Sequence, residues 1–154
     1  MIVVSDTSCV TNLIAVGRVG LLQDLFGNVV IPPAVRRELE VEHESLPDFL
    51  HVCSPENRAA VDQLLADELD DGEAEAIVLA EELHADFLLM DEAAGRAVAE
   101  ERGLFLVGLI GVLRRAKEAG HIAAVRPDLD ALLKAGFRVA PKLRERFLRD
   151  VGEA

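Results

Sequence analysis

Four carboxylates are placed where they could do chemistry: Asp6, Glu38, Glu73 and Asp91. Asp6 directly follows the β-branched run Ile2–Ser5, and Asp91 follows the apolar run Phe87–Met90. Glu38 lies in a helical pattern that begins at Pro32-Pro33, and Glu73 opens another just behind Gly72. Carboxylate oxygens are hard ligands suited to Mg²⁺ or Mn²⁺. Four of them converging would repel one another unless a cation sat among them. Such ions activate water and stabilise the leaving oxygen of a phosphodiester, so no side-chain nucleophile is required. The alternative for each residue is plain: an acid after a strand also serves as a helix cap or a turn residue.

The elements that would position these acids can be read from periodicity. Ile2–Ser5, Val29–Ile31, Phe49–Cys53, Phe87–Met90 and Leu104–Val107 read as short strands. Helical spacing runs between them, with two short helices divided by Gly17 and others over Asn57–Leu69, Glu73–Leu83 and Ala93–Arg102. Three helices punctuated by Gly120, Pro127, Gly136 and Pro141 follow Leu109. Strands alternating with helices imply a parallel sheet covered on both faces. Ligands of such sheets bind outside the carboxyl ends of the strands, which is where Asp6 and Asp91 fall. The 154 residues suggest one domain, with about 121–154 as a C-terminal helical extension.

Charge is unevenly spread. The formal net charge is −12. Residues 1–37 carry +1, residues 38–101 carry twenty acids against two bases, and residues 102–154 carry +5. That balance argues against binding nucleic acid by bulk charge, though not against nucleic acid as a substrate. The basic tail is a candidate footprint for phosphate or for an acidic partner. Cys9 and Cys53 form no disulfide framework or metal pattern and read as small buried hydrophobes. The four histidines are scattered, which disfavours zinc, and phosphate-binding glycine loops and the nucleophile elbow are missing. The longest apolar run, Leu104–Leu113, is short of the roughly 20 residues of a membrane span. No signal peptide opens the chain, so a cytoplasmic location is expected.

Secondary candidates surround the four acids. Thr7 and Ser8 either cap the first helix or orient Asp6. Asn12 lies one turn beyond Ser8 and either faces the site or is an ordinary polar helix residue. Arg96 either pairs with Asp91 or neutralises a phosphate. Glu75, two residues along the helix from Glu73, points elsewhere and is expected at the surface. Glu92 is expected to be turned away by its helix.

Val3-Val4-Ser5-Asp6-Thr7-Ser8 resembles the opening motif of the PIN-domain ribonucleases. Ile31–Leu39, with Glu38, resembles the second motif of that family, Gly72–Ile77 the third, and Ala85–Asp91 the fourth. The chain looks closest to a branch with Asp-Gly-Glu and Asp-Glu-x-x-Gly-Arg motifs, here Asp71–Glu73 and Asp91–Arg96. The resemblance implies a three-layer α/β/α sandwich around a four- or five-stranded parallel sheet. It also implies an Mg²⁺- or Mn²⁺-dependent endoribonuclease acting on RNA. Asp6, Glu38, Glu73 and Asp91 would serve as catalytic residues and metal ligands. Members are commonly homodimers and toxins restrained by a small antitoxin protein. Two departures stand out: Glu73 takes a position more often Asp, and Ala93 and Ala94 follow Asp91 where many members carry another Asp or Asn. One tightly held metal, with a second arriving alongside RNA phosphate, is the corresponding expectation. The alternative is a catalytically weak or inactive interaction module of the same fold.

Overall fold

Val3, Val4 and Ser5 are buried without exception, so their backbone groups must be satisfied by neighbouring strands. A computed structural model, describing residues 1–154, shows how. Five strands form one sheet: β1 (Val3–Ser5), β2 (Val29–Ile31), β3 (Leu50–Val52), β4 (Phe87–Leu89) and β5 (Leu106–Val107). Their order is β3-β2-β1-β4-β5, and every pairing is parallel. Val3, Val4 and Ser5 pair with Phe87, Leu88 and Leu89. The connection from β1 runs to one side of the sheet and that from β4 to the other. Their carboxyl ends therefore flank the crevice where such sheets bind ligands.

Side chains alternate across the sheet with period two. Val3, Val29, Ile31, Leu89 and Val107 enter one core with α1 (Thr7–Ala15), α2 (Gly20–Phe26), α3 (Pro33–Glu42) and α7 (Leu109–Glu118). Val4 and Leu88 enter the other core with α4 (Arg58–Ala66), α5 (Asp71–Glu82) and α6 (Ala93–Glu101). The expected three-layer sandwich is present. Helices α8 (Arg126–Lys134) and α9 (Pro141–Asp150) are not set apart from it: Val125, Leu129, Leu132, Phe147 and Leu148 belong to the first core. No helix is long and apolar enough to cross a membrane.

Helix α5 is buried without interruption from Gly72 to Ala80, as its apolar sequence requires. Glu75 lies within that stretch and is 4% exposed, so the expectation of a surface position is wrong. Its carboxylate accepts from the Ala34 N–H at the start of α3 (3.0 Å) and from Arg58 Nη1 on α4 (3.0 Å). A helix N-terminus and a guanidinium are the partners a buried anion needs.

The chain end is tied down by Glu153. Its carboxylate accepts from Lys117 Nζ (2.8 Å) and from the N–H groups of Val125 (2.8 Å) and Arg126 (3.0 Å). Burial alone pushes the Glu153 carboxyl up, but these donors together outweigh it and hold the group at about 2. A lowered folded-state value stabilises the fold above the ordinary glutamate range, and that contribution is lost as pH falls toward 2. Glu153→Gln should cost on the order of 1 kcal/mol at pH 7. Denaturant melts of the two proteins should converge as pH falls from the ordinary glutamate range toward 2; a gap independent of pH would contradict the assignment.

Candidate active site

The hydrogen-bond ladder does not end with β1. The Asp6 N–H donates to Leu89 O (3.0 Å), and the Met90 N–H donates to Val107 O (3.1 Å). These bonds fix the backbone from which Asp6 and Asp91 project at the carboxyl ends of neighbouring strands. Asp6 also caps α1, its Oδ1 accepting from the Cys9 N–H (3.1 Å), so the cap is Asp6 itself rather than Thr7 or Ser8. Ser8 Oγ donates to Asp6 Oδ2 (3.2 Å), and the Thr7 hydroxyl donates to Glu38. The Cys9 thiol donates to Asp91 Oδ2 (3.4 Å). Cys9 is buried as expected, yet it also joins the two aspartates, a role its type alone does not signal.

Asp6, Glu38 and Glu73 line one groove of about 240 Å³ with Thr7, Ser8 and Asn12. Glu42, Asp70 and Glu92 complete its acidic wall. Glu92 thus faces the groove from the cap position of α6, contrary to the expectation that the helix turns it away. Asp91 lines the adjoining cavity with Ser8, Asn12 and Glu92. Its carboxylate is held by the Leu109 N–H (3.1 Å) at the first turn of α7. Arg96 Nη1 donates to Met90 O (2.7 Å), so it lies near Asp91 without an ion pair to it.

Glu73 completes a capping box with Asp70. The Glu73 N–H donates to Asp70 Oδ1 (2.8 Å), and Glu73 Oε1 accepts from the Asp70 N–H (3.2 Å). The longer side chain, compared with the more usual Asp, allows this fold-back. Its other oxygen, Oε2, is the one buried side-chain polar atom without a hydrogen-bond partner. An unpartnered buried acceptor is costly and calls for an explanation.

Three glycines make room for the acids. A Cβ on Gly72 would stand 2.8 Å from Glu38 Oε1, and one on Gly95 would stand 2.7 Å from Met90 Sδ and 2.9 Å from Glu73 Oε2. A Cβ on Gly108 would collide with Asp91 Oδ1. The glycines of the Asp-Gly-Glu and Asp-Glu-x-x-Gly-Arg motifs are therefore spaces for carboxylates. Gly108 plays the same part outside any motif.

Burial dominates the electrostatics. It pushes the Asp6 carboxyl up to about 7, opposed by the Cys9 donors and Ser8 and reinforced by the Asp91 charge. It also pushes Glu73 up to about 7, opposed by the Asp70 N–H and reinforced by the Asp70 and Glu92 charges. Asp91 is raised as well, against the pull of Leu109, Cys9 and Arg96. Burial likewise raises the Cys9 thiol, keeping it a donor.

No three His, Cys, Asp or Glu side chains stand together at metal-ligating separation. The reason is visible: Asp6, Glu38, Glu73 and Asp91 each rest on a donor of their own. The donor set nonetheless fits a hard divalent cation. All four groups offer oxygen, the groove holds excess negative charge, and Glu73 Oε2 has no other partner.

A family model described as a PIN domain matches residues 2–153. No curated protein matches the chain. The glycine contacts generate a prediction of their own. Alanine is about 1 kcal/mol better than glycine inside a helix, but a Cβ at position 95 also presses on the buried Met90 Sδ at 2.7 Å, so the fold of Gly95→Ala is checked by circular dichroism before metal is added. The same substitution displaces the Glu73 carboxylate, and Mn²⁺ affinity, followed by electron paramagnetic resonance, should fall by about tenfold or more. Unchanged affinity in a folded Gly95→Ala protein would show that Glu73 is not a ligand.

Proposed function

Because the chain belongs to the PIN-domain family, whose members are generally nucleases that use divalent metal ions, we propose that it is an Mg²⁺- or Mn²⁺-dependent endoribonuclease. The observation that carries this reading is the groove itself. Asp6, Glu38 and Glu73 share it, Asp91 is joined to it through Cys9, and Glu73 keeps one buried carboxylate oxygen without a donor.

The four carboxylates would hold the ion, which when bound supplies an activated water and neutralises charge on the phosphate. The chain's own residues do the positioning. Thr7 holds Glu38, Ser8 and the Cys9 N–H hold Asp6, and the Leu109 N–H holds Asp91. In this reading Thr7 and Ser8 serve to hold carboxylates, and burial keeps the Cys9 thiol protonated. No histidine lines the groove, so proton transfer falls to carboxylates and water. Water is then the nucleophile: its oxygen bonds to phosphorus as the P–O bond to the leaving ribose oxygen breaks, and a carboxyl group or water gives that oxygen its proton.

We further propose that the protein is a toxin held by a small antitoxin protein and that it acts as a homodimer. The acidic groove complements a basic side chain from such a partner, which would compete with the metal for Asp6, Glu38 and Glu73. Asn is as good a helix cap as Asp, so Asp6→Asn should fold normally. It should lower Mn²⁺-dependent RNA cleavage by on the order of 100-fold or more. Undiminished cleavage would remove Asp6 from the mechanism. A wild-type protein that cleaves no RNA with either ion would favour an interaction module.

A further inference from the structure

A second cavity, of about 510 Å³, opens beside the carboxylate groove between β5, α7 and the loop joining α8 to α9. It is lined by Arg96, Arg114, Arg115 and Arg138, and Asp91 is its one acid. In a chain of net charge −12 this clustering of cations is unexpected. Like charges brought together are disfavoured unless an anion joins them. Arg138 enters no ion pair, and Arg96 enters none either, though its Nη1 donates to Met90 O and its charge acts on Asp91. Arg114 is bound only to Glu118, an exposed pair of little worth. Arg115 is held over the Phe87 ring at 4.7 Å, which fixes its position without neutralising it.

A smaller cavity lies between this one and the site. Asp91, Phe137 and Arg138 line both the larger cavity and the smaller one that contains Ser8, Asn12 and Glu92, and those three also line the carboxylate groove. The three cavities therefore adjoin one another from the carboxylates, past Asp91, to the arginines. Half of the lining of the larger cavity is hydrophobic. Phe137 is partly buried against the core and offers an aromatic wall in a chain without Trp or Tyr.

We propose that this cavity is the binding subsite for single-stranded RNA flanking the cleaved bond. Arg96, Arg114 and Arg138 take backbone phosphates, and the apolar wall at Phe137 takes the face of a base. This assignment rests on the nuclease reading for the identity of the polymer. Successive phosphates along a strand suit several separate guanidiniums in one cavity, and flat bases suit the apolar wall between them. An acidic protein segment would use the charges alone. The +5 tail of the sequence and the α8–α9 loop thereby acquire a role that the four carboxylates do not explain.

The test uses the full chain and a fluorescent single-stranded RNA oligonucleotide in chelator, so that binding is read without cleavage. Arg114→Ala/Arg138→Ala changes two exposed side chains, and circular dichroism checks the fold. Binding should weaken by roughly tenfold or more, and the slope of log K against log salt should shrink by about 0.7 for each phosphate contact removed. Unchanged affinity and slope would overturn the proposal. So would wild-type binding of a polyglutamate peptide, lost in the double variant, with no binding of the oligonucleotide. Mn²⁺-dependent cleavage is measured on the same proteins. If the wild type cleaves and the double variant keeps its KM, the subsite fails and the nuclease reading stands. If the RNA is bound through these arginines but never cut, the subsite stands and the nuclease reading fails.

Discussion

Everything at this site depends on the parallel pairing of β1 with β4 and its extension by one bond, from the Asp6 N–H to Leu89 O. In a sheet buried on both faces a shift of one residue would exchange the two cores, so the register is held by most of the apolar side chains in the molecule. The same register sets Asp6 beside the strand that delivers Asp91. The hydrophobic core thus positions two anions that gain nothing from being near each other. Cys9, Leu109 and the first turns of α1 and α7 supply the donors that make the arrangement tolerable.

Burial is what makes the cluster chemically distinctive. Acidic residues are abundant in this chain, and most lie in solvent where their charges are screened. Asp6 is 2% exposed and Glu73 is 9% exposed, and both carboxyls are pushed up to about 7. Glycines at 72, 95 and 108 let the backbone close against three of the carboxylates instead of leaving them to water. A divalent cation is the species that would best offset the resulting charge and occupy the free oxygen of Glu73.

Much of this was legible in the sequence because it depends on local order. Apolar runs ending in Asp6 and Asp91 mark strand ends directly. The acids of α3 and α5 stand out through the resemblance of Ile31–Leu39 and Gly72–Ile77 to the family's motifs. What could not be read depends on partners distant in the chain. Glu75 looks like a surface residue because its alternatives, Arg58 and the Ala34 N–H, are 17 and 41 residues away. Glu92 reaches the groove because it occupies the cap of α6 and not its body. Cys9 reads correctly as buried, but its contact with Asp91 spans 82 residues. The convergence of four arginines from α6, α7 and the α8–α9 loop is likewise a product of packing, and no spacing along the chain announces it.

The central claim is that these carboxylates gather around a divalent ion. Crystals grown or soaked with Mn²⁺ and measured at the manganese absorption edge test it most directly. The account predicts an anomalous peak in the groove bonded to Asp6 and to the free oxygen of Glu73, with Glu38 or Asp91 moved off its hydrogen-bond donor to join them. Crystals that take up manganese elsewhere while the groove stays clear, or that take up none at saturating concentration, would contradict it.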